Sequence, residues 1–255
     1  MIVYIIIIMD RGNSVENQEI RFVDRVFRLL EHVTYRRADT AADKQAIFRM
    51  RHAAYARAGT IEPGPSGLFS VAFDETDNAW LIGVRLDGDL ASALRLHVSA
   101  SLAAPLPVAN TFPDVIRPLL RSRRTIIDAT RFVAKLEFSQ RYSEIPYLTL
   151  RASFMAGEFF DADFITAACL VEHQAFYRRM FGGVPWCEPQ PYPNFKRPMA
   201  LIGHDCRTLK NSTLDRYPFF ASTASERETL FSRSSNHVGD MFEAIGRPAE
   251  SEFGA

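Results

Sequence analysis

Net charge is absent from this chain of 255 residues: 30 Lys and Arg balance 30 Asp and Glu. That balance argues against a dedicated nucleic-acid binder and leaves room only for local charged patches. Cysteine is scarce. Cys169, Cys187 and Cys206 are odd in number, far apart and without CxxC or HxxxH spacing, so neither a disulfide framework nor a zinc site is indicated. A reducing, cytoplasmic setting is the expectation. No apolar run reaches transmembrane length. Residues 2–9 form an apolar stretch of eight with no basic residue before it, lacking the n-region and cleavage site of a signal peptide, and are expected to be an N-terminal strand or arm. There is no internal repeat and no low-complexity tract.

What is present is apolar material, 47% of the residues, enough for one domain with extensions. Residues 124–134, RTIIDATRFVA, carry the most information. An apolar strand is interrupted there by Asp128, Thr130 and Arg131. Burying a carboxylate and a guanidinium costs several kcal/mol per ion unless each finds a partner or a ligand, so these charges mark either a structural ion pair or a site. Strand parity puts Asp128, Thr130 and Phe132 on one face and Ile127, Ala129, Arg131 and Val133 on the other. Asp128 and Arg131 can flank one pocket only if a β-bulge lies between them, and bulges are common beside active sites.

Along the chain, residues 18–32 show a helical apolar stripe and residues 33–36 a short strand. Thr40 is a candidate N-cap for a helix over residues 41–57, in which Arg51 and Tyr55, four apart, project together. The Gly- and Pro-rich residues 59–67 are a loop, placed to cover a cleft. Asp74 and Asp77 stand near a turn, where paired acids are ordinarily a capping device. Residues 80–86 and 91–98 form a hairpin through Asp87-Gly88-Asp89, with Arg95 and His97 on the face opposite Leu94, Leu96 and Val98. Residues 105–118 read as irregular, with a short helix near 115–120. Arg117, Arg121, Arg123 and Arg124 then form a basic cluster, either a solvated face or a surface for an acidic partner.

After the central strand the pattern predicts a helix over residues 146–160, and a strand over 164–171 with Glu172 and His173 at its end. A helix over 175–181 stops at Gly182-Gly183, and a last strand covers 199–203. From Asp205 the pattern loosens, with Tyr217, Phe219 and Phe220 as anchors. Ser225 and Glu228 have capping-box spacing for a helix running toward Phe242, and the residues after Gly246 look disordered. The expected division is an N-terminal arm and helix over 1–32, a domain over 33–204 and an extension over 205–255.

The segments IFRMRHAAYARAG (47–59), FDETD (73–77), ALRLHV (93–98) and DATRFV (128–133) resemble, in order and spacing, the motif series of acyl-homoserine-lactone synthases. HQAFYRRMFGG (173–183) with YPNFKRP (192–198) is similar to the long-chain N-acyl amino acid synthases. The resemblance covers roughly residues 33–203. It implies a GNAT-like α/β (α+β) fold: a mixed, mostly antiparallel central sheet flanked by helices, with N- and C-terminal extensions. Asp128 and Thr130 depart from the Glu and Ser usual in autoinducer synthases. Residues 135–144, KLEFSQRYSE, contain no glycine where GNAT enzymes cradle the coenzyme A diphosphate.

The resemblance therefore implies an acyltransferase that holds no permanent cofactor. Its co-substrate would be an acyl-phosphopantetheine on acyl carrier protein and its acceptor a small amine or amino acid. Without a Ser/His/Asp or Cys/His pattern, direct aminolysis is the expected route. Asp128, Arg131 and Glu172 are the implied catalytic residues. Arg51, Tyr55, Asp74, Asp77, Arg95, Thr130, Phe132 and Val133 form the implied substrate site, with a backbone N–H near Phe132 or Val133 facing the oxyanion. Arg121, Arg123, Arg124, Lys135 and Arg141 would meet the acidic carrier. The alternatives are autoinducer synthesis from S-adenosylmethionine, a non-catalytic carrier-binding module on the same fold, and acylation of a protein or peptide amine.

Overall fold

The computed structural model describes residues 15–193, 195–232 and 245. The apolar run over residues 2–9, the tail after Gly246 and the stretch 233–242 expected to continue the last helix lie outside these residues. Among the described residues one seven-stranded sheet runs through the molecule in the order β1-β2-β3-β4-β5-β7-β6. The strands are β1 (Val33–Arg37), β2 (Ala79–Leu86), β3 (Asp89–Ser99), β4 (Ile126–Ala134), β5 (Phe164–Leu170), β6 (Val184–Pro185) and β7 (Met199–Asp205). Every neighbouring pair is antiparallel except β4 and β5, which are parallel. This is the mixed, mostly antiparallel sheet that the motif order implies.

Helices cover both faces. The first two, α1 (Val15–Leu30) and α2 (Ala41–Arg57), flank β1 in sequence. Thr40 caps α2, its side chain accepting from the Asp43 N–H at 3.1 Å, which satisfies one of the donors a helix start leaves orphaned. Ile47, Tyr55, Leu81, Ala93 and Val133 join α2 to one face of the sheet. On the other face lies α6 (Ile145–Phe159), buried over most of its length, against Trp80, Ile82, Leu94, Leu96 and Ile127. Residues 105–118 are not irregular. They form α3 (Pro107–Thr111) and α4 (Pro113–Arg121), each opening on a proline at its first position, where the missing N–H costs nothing.

Other short elements also escape the sequence pattern. The six-residue α5 (Leu136–Arg141) follows β4 directly, and α7 (Gln174–Phe181) ends on Gly182 at φ 60°. Where the pattern loosens, α8 (Cys206–Arg216) starts on Asp205, whose carboxylate accepts from the Arg207 and Thr208 N–H groups. Helix α9 (Ala224–Phe231) begins two residues before the expected capping box, with Thr223 and Glu226 in those roles. Tyr217, Phe219 and Phe220 are buried and anchor this segment.

Two irregularities shape the centre. The first is the parting of β4 from β5: they pair only at Ile126–Phe164, Ile127–Ile165 and Asp128–Thr166. Beyond Asp128, β4 stays with β3 and β5 with β7, so a slot opens between them. The second is a bulge. The β3–β4 register passes from Arg95–Thr130 to Ala93–Val133, and Arg131 takes a φ of +56°. Three residues of β4 thus span two of β3.

Candidate active site

The bulge changes which side chains share a face. Up to Thr130 the regular alternation holds, and Asp128 and Thr130 face α2 beside Arg95. Arg131 then faces the same way, while Phe132 turns to the α6 side and joins the core there. The expectation that Phe132 shares a face with Asp128 is therefore overturned, because one inserted residue reverses parity beyond it. Val133 accordingly lands in the apolar layer under α2 and is fully buried.

Around β4 lies a connected set of charges. Arg51 Nη1 donates to Asp74 Oδ1 at 2.8 Å and Arg95 Nη1 donates to the same oxygen at 3.1 Å. Asp74 Oδ2 accepts from the Val71 N–H at 2.9 Å. Burial pushes the Asp74 carboxyl up, but Arg51 and Arg95 together outweigh it and hold it below the usual carboxylate range. Arg95 continues the chain, its Nε and Nη2 donating to Thr130 Oγ1 at 3.3 and 3.2 Å. Asp128, fully buried, comes next. Its Oδ2 accepts from the Val108 N–H at 3.0 Å, and its Oδ1 is buried without a partner. Burial drives its pKa up to about 7, against the pull of Arg95, the Val108 bond and Arg131.

Arg131 is held differently. Its guanidinium lies over the rings of Phe69 and Phe195, 5.1 and 4.8 Å from their centroids, and Tyr55 meets both rings edge-on. Aromatic faces stabilise the cation without using its N–H groups. Its Nε and Nη1 are buried and have no partner.

These groups border a cleft with about 610 Å³ of space between its walls, part of it continuous with solvent. It occupies the slot between β4 and β5. Tyr55, Thr130, Arg131 and Phe132 form one side and Cys169, His173, Tyr177 and Tyr192 another. Burial lowers the His173 pKa to about 4, so this imidazole is neutral at physiological pH, and burial raises the Cys169 thiol to about 12, so it is no thiolate nucleophile.

Arg51, Tyr55, Asp74, Arg95, Asp128, Thr130 and Arg131 are thus brought together, and Phe132 reaches the cleft. Others are not. Asp77 is exposed on the turn after Asp74. Glu172 sits at the surface in a two-bond pair with Arg197, at 2.7 and 3.1 Å, and does not line the cleft. Sequence reasoning gave no role to Tyr192, whose buried hydroxyl is raised by burial and then by the Asp128 charge, nor to Phe69, Phe195 or the Val108 N–H. The only signal was an aromatic pair inside a proline-rich stretch. The basic residues divide in two. Arg121, Arg123 and Arg124 precede β4 at its closed end, with Arg124 Nη1 on Asp163 at 3.0 Å, whereas Lys135 and Arg141 follow it at the open end.

A family model described as N-acyl amino acid synthase FeeM matches residues 46–205. The chain belongs to that family. With it the chain is an acyltransferase, and the resemblance read from its motifs is confirmed. The solved structure of FeeM, an N-acyl amino acid synthase from uncultured soil microbes, is similar with a TM-score of 0.60 at 14% identity, over 73% of this chain and 97% of that one. TofI, in a ternary complex with an inhibitor and MTA, gives 0.56 at 13% identity over 74% and 100%. The CoA-dependent acyl-homoserine lactone synthase BjaI, with MTA, gives 0.52 at 15% identity over 73% and 89%. At such identities these structures show the shared fold. A search of curated proteins returns no match to the sequence. Among the described residues of this FeeM-family member, no helix is long and apolar enough to cross a membrane.

Proposed function

We propose that this FeeM-family acyltransferase moves a fatty acyl group from the phosphopantetheine thioester of acyl carrier protein to the α-amine of an amino acid. The observation that carries the reading is the pair formed by Arg131 and Asp128. One presents buried N–H donors without partners at the cleft, and the other is a carboxyl whose pKa burial has brought to about 7. Buried polar groups left without partners are otherwise rare and costly.

Arg131 Nε and Nη1 lie on different edges of the guanidinium, so either offers a single charge-assisted bond to the acceptor's carboxylate. Arg51, Arg95 and Arg131 outnumber Asp74 and Asp128, and this excess of positive charge favours an anionic acceptor. Asp128 lies just behind the cleft wall and takes the ammonium proton through an intervening water. The free amine then attacks the thioester carbon, a C–N bond forms, the C–S bond breaks, and the phosphopantetheine sulfur leaves as a thiol with the remaining proton. Two neighbouring groups adjust the base: the Val108 N–H and Arg95 hold the charged form within reach at neutral pH.

A carrier-bound donor is favoured over a coenzyme because the position after β4 is unsuited to a diphosphate. It holds α5, without a glycine, and Glu137 stands in its first turn. A carboxylate there repels phosphate. Incubating the purified protein with a fatty acyl carrier thioester and mixed amino acids, and reading the products by mass spectrometry, tests the proposal. An N-acyl amino acid supports it. Methylthioadenosine and an acyl lactone, formed only with S-adenosylmethionine, establish autoinducer synthesis instead, and carrier binding without any product establishes a non-catalytic module.

A further inference from the structure

Three cavities lie in series through the sheet. The cleft already described shares Ala129 and Tyr177 with a second, largely apolar and narrow cavity on the α6 side, whose walls enclose about 350 Å³ of space, part of it continuous with solvent. That inner cavity shares Phe154, Ile165 and His204 with a third, of about 1210 Å³ and partly open to solvent. The slot where β4 leaves β5 lies between the first and the second and gives room for a passage that a hydrogen-bonded sheet would seal.

The third cavity is built from different chain. One wall is α6 with Gly157 and Glu158, but Cys206, Arg207, Asn211, Leu214, Phe220 and Arg227 come from the C-terminal extension. The family match ends at residue 205, and the FeeM structure corresponds to 73% of this chain. The extension is firmly attached. Arg151 of α6 donates through Nε to the Phe219 carbonyl at 2.9 Å and through Nη2 to the Ala221 carbonyl at 2.7 Å and Glu226 at 2.9 Å. Its charges are already matched, Arg227 with Glu158 at 2.7 Å and Arg207 with Asp163 at 3.2 Å. A charged ligand thus finds no waiting partner there, whereas Phe154 and Phe220, stacked with centroids 4.4 Å apart, and Leu214 offer an apolar floor.

We propose that the C-terminal extension adds a chamber to the acyltransferase site, and that it receives the far end of a long unbranched acyl chain passing from the cleft through the inner cavity and beyond Phe154. This rests on the proposed acyl transfer. The inner cavity is a narrow passage, with only about 20 Å³ open to the centre of a water-sized sphere, so short chains end before it and only long ones reach the chamber.

Two measurements test the proposal. The first compares octanoyl and hexadecanoyl carrier thioesters in the wild type and in Asn211→Trp, which fills the chamber from an exposed position on α8. The variant is expected to lose about tenfold in kcat/KM for the hexadecanoyl donor, the scale of losing methylene contacts in an apolar pocket, and to leave the octanoyl donor unchanged. The second uses hexadecanoyl-phosphopantetheine with a photoreactive diazirine at the chain terminus, and it reads binding without turnover. Labelling of peptides within residues 206–227 supports the chamber. Equal effects of Asn211→Trp on both donors, or labelling confined to other segments, overturns it. If no donor is turned over but residues 206–227 are labelled, the chamber stands and the proposed reaction falls.

Discussion

The backbone N–H of Val108 donates to Asp128 Oδ2 at 3.0 Å, while Oδ1 of the same carboxyl, equally buried, has no partner. Burial keeps the neutral form in contention, while the Arg95 charge and this bond from the first turn of α3 keep the charged form attainable, which leaves the pKa at about 7. A base that must be ionised to act then gives an activity that rises with pH through this value. The expected result is a kcat/KM limb with an apparent pKa near 7. Asp128→Asn should abolish the limb and lower kcat by about a hundredfold or more. A pH profile of both proteins decides it.

The same group makes stability depend on pH, and the sign is fixed. Its folded pKa of about 7 lies above the ordinary 3.8, so the folded state binds the proton more tightly than the unfolded chain. That stabilisation is full at pH below the unfolded value and is lost as pH rises through the folded one. Urea unfolding should therefore show a lower midpoint at about pH 8 than at about pH 6, with Asp128→Asn reducing the difference.

Asp74 neutralises two guanidinium groups that are essentially without solvent contact. Replacing it with Asn leaves Arg51 and Arg95 uncompensated in the interior, at a cost of about 3–5 kcal/mol. Denaturant unfolding of Asp74→Asn should show that loss, or insoluble protein in its place.

Glu172 offers a contrast. Its pair with Arg197 is well aligned, but the two side chains are 41% and 56% exposed, and such pairs contribute about 0–1 kcal/mol. Glu172→Gln should leave kcat within about twofold, far from the effect of removing an acid–base group.

The basic residues separate by position along β4. Its nine residues extend about 30 Å at 3.3 Å per residue, so Arg121 and Arg123 at one end and Lys135 and Arg141 at the other do not form one patch. The slot opens toward Lys135. Charge reversal at Lys135 and Arg141 should raise the KM for the carrier and weaken its salt dependence, whereas reversal at Arg121 and Arg123 should do neither, as steady-state assays at two ionic strengths will show.

Much of this was legible in the sequence because local chemistry and long-range packing agreed. The Thr40 cap and the run to Arg57 were read with their observed limits, since cap, length and periodicity pointed one way. The charges in residues 124–134 mark the strand that borders the cleft, and their sharing a face requires the bulge that the register shift at Arg131 supplies. What escaped depended on partners distant in sequence. Helix α8 has a weak apolar pattern and is set by the Asp205 cap and by packing. Burial of Val133 follows from the altered parity. The surface position of Glu172 follows from Arg197, whose proximity no spacing rule encodes. Tyr192 and Phe195 sit in a proline-rich segment without periodicity, so only the folded chain reveals that Phe195 lies against Arg131 and that Tyr192 lines the same cleft.

The parting of β4 and β5 after Asp128 also bears on what holds the molecule together. The left and right portions of the sheet are stitched at three residue pairs and otherwise bridged by helices, with apolar walls facing each other across unfilled space. On the proposed acyl transfer, a lipid tail inserted there becomes interior material, replacing side chains that the polypeptide does not provide. Binding free energy is then also cohesion, and on that proposal a bound acyl thioester raises the unfolding temperature of the protein that holds it.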